Sequence, residues 1–82
     1  MYQAFAYWTS CAIASYEIAA SKSKTSASEK QRLHNIATEM LGDLRIYLPP
    51  GNDPKDKQEL DDCVERLKRA EEYHNPSPKK EA

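Results

Sequence analysis

The chain has 82 residues, 12 basic and 13 acidic side chains, and a formal charge of −1, so no global field draws it to nucleic acid or to an anionic membrane. So short a chain forms one domain with a marginal core, and two cysteines are too few for a disulfide-stapled scaffold. With 30% charged residues and two glycines it reads as helical rather than sheet-forming, and self-association or a partner is the expected supplement to its core.

The opening stretch, MYQAFAYWTSCAIASYEIAA, holds five of the seven aromatics: Tyr2, Phe5, Tyr7, Trp8 and Tyr16. Its alanines favour helix over residues 2–20, although the aromatics and isoleucines would also suit a strand. On a helical wheel Gln3, Ser10 and Glu17 fall on one line, with Ala6 and Ala14 beside them. Tyr2, Phe5, Thr9, Ile13, Tyr16 and Ala20 make an apolar arc, which Trp8, Ala12 and Ala19 widen and Tyr7, Cys11 and Ile18 extend. That arc is roughly twice the ~100° a surface helix needs. One helical hairpin covers half of it, so the remainder predicts a contact with another molecule. No Lys or Arg precedes Lys22, unlike a secretory signal, and Gln3, Thr9, Ser10, Ser15 and Glu17 dilute the segment below a membrane span of about 20 apolar residues. A cytoplasmic protein is expected.

A polar connector, SKSKTSAS, leads to the second helix, expected at 27–48. Leu33, Ile36, Ala37, Met40, Leu41, Leu44, Tyr47 and Leu48 recur at three- and four-residue steps. Ser26-x-x-Glu29 and Ser28-x-x-Gln31 are both capping-box spacings. Pro49-Pro50 ends the helix, and Gly42 inside it suggests close contact with a neighbour. The third helix, 54–74, starts with Asp53 as cap and Pro54 in the first turn. Leu60, Cys63, Val64, Leu67 and Ala70 form its stripe, with Lys55–Glu59, Asp62–Arg66 and Glu65–Arg69 as four-residue charge pairs on its outer side. Asn75-Pro76-Ser77-Pro78 stops it, leaving residues 76–82 as an expected disordered tail. The short PPGND link makes helices two and three an antiparallel hairpin. The expected fold is therefore all-α: three helices within residues 1–75, the hairpin with the aromatic N-terminal helix packed on it.

Chemistry-bearing motifs are sparse. Cys11 and Cys63 lie on apolar faces and are expected as small buried hydrophobes. His34 is expected packed or solvated, and His74 suits the negative end of its helix. Glu71-x-x-His74 has the spacing of carboxylate-bridged metal bundles, but it occurs once, near a helix end, so no metal or other cofactor is expected. Asp53, Asp56, Glu59, Asp61 and Asp62 complement the N-terminal dipole of the third helix and lack the calcium-loop spacing. No nucleophile–base pair, glycine-rich phosphate loop or HExxH is present, and no catalysis is expected.

The expected function is that of a small non-enzymatic protein-binding module: an inhibitor, adaptor or regulatory subunit, a class that includes phage- and mobile-element-type inhibitors. It would self-associate or bind a protein partner through Tyr2, Phe5, Tyr7, Trp8 and Tyr16, because large amphipathic aromatics dominate interface energies. The alternative is a nucleic-acid or small anionic nucleotide binder that uses Arg45, Arg66 and Arg69 of the hairpin in an oligomer. Acidic residues interrupt that basic set, which makes nucleic acid the less expected partner.

Overall fold

A computed structural model of the chain describes residues 2–48, 51 and 53–74. Three helices, α1 (Tyr2–Ser21), α2 (Ala27–Tyr47) and α3 (Pro54–His74), account for its regular structure. Their bounds fall within a residue of those expected from periodicity and capping. Pro49, Pro50 and the anticipated tail lie outside the described residues.

The local signals act as their chemistry dictates. Ser26 caps α2, its hydroxyl accepting the Glu29 N–H at 3.1 Å. The reciprocal half of that box is diverted, since the Glu29 carboxylate takes Arg32 at 2.7 Å. Asp53 caps α3 by accepting the Lys55 N–H at 2.9 Å, and Pro54 opens the helix where no amide partner is needed. Between them Gly51 sits at φ +69, a left-handed turn conformation that glycine adopts without steric cost.

Phe5 meets Tyr47 and Tyr16 meets His34, so α2 runs antiparallel to α1. His34 meets Glu71, so α3 returns antiparallel to α2. The hairpin is present, yet it is the looser pairing: α2 and α3 each pack more extensively on α1 than on one another. The reason lies in the width of the apolar surfaces. Each hairpin helix has one narrow stripe and spends it on α1, whose wide arc can receive both. Ile13, Tyr16, Leu44 and Cys63 are the large side chains fully enclosed at this junction, with Leu41, Leu60, Leu67 and Ala70 around them. Thr9 is buried among them without an orphaned hydroxyl, because its Oγ1 donates to the Phe5 carbonyl at 2.9 Å.

Gly42 corrects the sequence-based expectation of a close helix contact. A Cβ built there meets nothing within 4 Å, since the α2–α3 seam is open at that level. Gly42→Ala should therefore stabilise the fold by about 0.5–1 kcal/mol, the helix-propensity difference with no clash to offset it. Ile13→Ala should destabilise it by about 2–5 kcal/mol. Urea unfolding midpoints of the two variants against the parent check both signs.

Candidate functional site

With α2 and α3 both on one side of α1, its opposite face is left to solvent. Tyr7 and Trp8 are 65% and 61% exposed there, and Ile18 is more than half exposed. Ala4, Cys11 and Ser15 complete the exposed line at three- and four-residue steps, a stripe about 21 Å long at 1.5 Å per residue. None of these residues is charged; Glu17, the one charge on α1, points toward α3. Tyr47 flanks the stripe, edge-on to Phe5 at 6.0 Å. Ile36, also exposed, lies three turns earlier on the same line of α2.

The expected contact residues thus divide. Tyr7 and Trp8 are on the open face, whereas Tyr2 and Phe5 are half-buried against the core. Tyr16 is corrected outright: it is wholly enclosed, because it shares the Thr9–Ile13–Ala20 side that α2 and α3 cover. Cys11 is corrected in the other sense. It is exposed, while Cys63 is buried as expected, and burial raises the Cys63 thiol pKa despite the opposing pull of Arg66. A wheel gives the width of the apolar arc but not which half its partners take, which is why both residues were misplaced.

The three arginines proposed for anions do not share a patch. Arg66 reaches across to α1, donating from Nε and Nη2 to both Glu17 carboxylate oxygens at 3.1 and 2.8 Å and from Nη1 to the Ser10 hydroxyl at 2.8 Å. The hydrogen bonds to Glu17 hold the Arg66 guanidinium above its ordinary pKa. The expected Asp62–Arg66 helix pair is not the one formed, and Asp62 takes the Gln58 amide at 2.9 Å instead. Arg69 pairs with Glu65 at 3.3 Å. Arg45 has no ion pair among the described residues and borders an α2–α3 groove of about 270 Å³, shared with Lys68, Leu41 and Val64.

A second grouping was not foreseen as a unit. The Tyr16 hydroxyl and His74 Nδ1 are 2.6 Å apart, and His34 Nε2 lies 2.7 Å from Glu71 Oε2. The Tyr16 ring is 5.1 Å from His34 and 5.5 Å from His74, and the two imidazoles are 6.1 Å apart. Burial first, and the Glu71 charge second, push Tyr16 up to about 12. Burial, then the charges of His34 and Lys30, lower His74. At neutral pH the phenol therefore keeps its proton and donates to a neutral His74. The Glu71-x-x-His74 motif is spent on this lock of three helices, and no group of three or more His, Cys, Asp or Glu among the described residues is placed to hold a metal ion. Only the Glu71/His74 spacing was visible locally, since His34 and Tyr16 arrive from other helices.

No family model, curated protein or solved structure matches the chain.

The buried hydroxyls make contrasting predictions. Tyr16→Phe strands His74 Nδ1 and should cost about 1–2 kcal/mol. Tyr2→Phe removes a buried hydroxyl that has no partner among the described residues and should be neutral or stabilising. The pH response follows from His74. An unfolded histidine titrates near 6.5, and in the folded chain His74 titrates lower. The unfolded state thus binds more protons as pH falls, so stability present above about 6.5 is lost as pH drops toward the folded value. Urea melts of the parent and His74→Asn at pH 7.5 and 5.5 should show a shallower acid loss in the variant.

Proposed function

We propose that this chain is a protein-interaction module, an inhibitor, adaptor or regulatory subunit that works by occupying a surface through the outer face of α1. One observation carries the reading: the most solvent-exposed side of the helix at the centre of the fold holds Tyr7, Trp8 and Ile18 and no charge. Exposed hydrophobic residues scattered singly are ordinary, but a contiguous stripe centred on Trp and Tyr matches the composition of interface hot spots. The nucleotide-binding alternative loses support, because Glu17 and Glu65 already neutralise two of its three arginines.

Neither Tyr7 nor Trp8 contributes to the buried core, so surface binding and folding are separable here. Tyr7→Glu and Trp8→Glu should leave the helical circular dichroism and the urea midpoint unchanged within about 0.5 kcal/mol. The same variants, immobilised in parallel with the parent, should fail to retain a protein that the parent retains from host-cell lysate, while Arg45→Glu on the α2–α3 side still retains it. Retention that is equal for all four chains, or absent from the parent, counts against the reading.

A further inference from the structure

We infer that the occupant of this face in the free protein is a second copy of the chain, docked through α1 against α1 in antiparallel orientation, with the two-fold axis passing over Cys11. The inference rests on the interaction-module reading and gives that module its resting partner.

Apart from Trp8, the exposed stripe is symmetric about Cys11. Ala4 and Ile18 lie seven residues either side of Cys11, and Tyr7 and Ser15 lie four either side. In a two-fold pairing residue i meets residue j and j meets i. Antiparallel helices crossing at Cys11 would therefore set Tyr7 against Ser15, Trp8 against half-buried Ala14, and Ile18 against Ala4. Each large side chain faces a small one, the complementarity by which close-packed surfaces interdigitate. A parallel pairing would stack Trp8 on Trp8 and leave the small residues facing a gap.

Charge and size agree with this arrangement. The stripe holds no charge, so self-pairing sets no like charges opposite one another. Area is sufficient for a modest dimer. Tyr7 and Trp8 are each more than three-fifths exposed, and at about 150–250 Å² per aromatic the four in a dimer supply on the order of 500 Å². Ile18 from α1, with Ile36 and Tyr47 on the flank, brings the total toward the ~1,000–1,200 Å² where specific interfaces begin. That size belongs with weak, transient interfaces rather than with obligate dimers.

Cys11 supplies the geometric check. Helices packed 8–10 Å apart, with Cα atoms about 2.3 Å from each axis, bring facing Cα atoms to about 3.5–5.5 Å. This overlaps the ~4.4–6.8 Å window in which two cysteines can be bridged. Cys63 is enclosed in the core and cannot substitute.

The test uses the full chain. Sedimentation equilibrium between about 1 and 200 µM should show a reversible monomer–dimer equilibrium, and Trp8→Glu should weaken it at least tenfold. Diamide, which takes up the two electrons and two protons released when two thiols join, should convert the parent and Cys63→Ser to a covalent dimer and leave Cys11→Ser uncrosslinked. A swap tests the register. Tyr7→Ser and Ser15→Tyr should each weaken the dimer, and the double variant should restore it, because only an antiparallel crossing at Cys11 pairs those positions. Both residues are exposed, so neither change threatens the fold.

A chain that stays monomeric throughout the range overturns the inference, as does a dimer indifferent to Trp8 and uncrosslinked through Cys11. Either result can coexist with Trp8-dependent retention of a foreign protein, which leaves the interaction-module reading standing. The converse, a Cys11-centred dimer with no such retention, sinks that reading alone.

Discussion

The fold depends on one imbalance of apolar surface: α1 has far more of it than a single neighbour can cover, and α2 and α3 have too little to satisfy each other. More than half of the residues of α3 are charged, and its buried set is confined to Leu60, Cys63, Leu67 and Ala70. α2 contributes only Ala37, Leu41 and Leu44 to the fully buried set. Two such stripes facing one another would leave Ile13 and Tyr16 in water. Facing α1, they close a junction in which all three helices bury their best residues. The sparsely packed α2–α3 seam, with Gly42 beside open space, is the consequence.

Polar contacts then fix how far each helix slides along α1. Arg66 grips Glu17 and Ser10, positions two turns apart on one line of α1. That fork can form at only one axial offset between the helices. The ion pair is partly exposed, with side chains about a third accessible, so its worth as stability is modest. Its geometry is the more consequential part. Beside Glu17 on α1, Tyr16 together with His34, Glu71 and His74 ties the C-terminal turn of α3 to both other helices. Apolar surfaces tolerate sliding; a bidentate guanidinium and a 2.6 Å phenol–imidazole bond do not.

Much of this was legible in local sequence. The three helices, their caps at Ser26 and Asp53, and the α3 stripe follow from period and terminus chemistry that each segment carries alone. What escaped was non-local. Arg66 was assigned to Asp62 by the four-residue rule, although the Gln3–Ser10–Glu17 line on α1 was the visible hint that a polar group had to approach there. Tyr16 looked like a contact residue because every aromatic of α1 lies on a wide arc, and no single-helix pattern says which part of an arc its neighbours will cover. Cys11 fell on the uncovered part for the same reason. Once the two narrow stripes of α2 and α3 are set against one side of α1, the assignment of inside and outside along it is forced.

That assignment sharpens what the outer stripe means. Solvent-facing positions on a helix cost the fold little whichever polar residue fills them, and Lys, Glu, Gln and Arg are also good helix formers. α2 and α3 fill most of theirs in that way, with Arg32, Glu39 and Asp43 on one and Lys57, Asp61 and Arg69 on the other, although Ile36, Ile46 and Tyr47 of α2 and Tyr73 of α3 are exposed as well. α1 departs furthest from the pattern, since none of its exposed residues is charged. Folding does not require Tyr7, Trp8 or Ile18 at those positions, and solubility would favour charge. With no demand for them from folding or solubility, Tyr7, Trp8 and Ile18 on the exposed side of α1 are the observation on which the proposed contact surface rests.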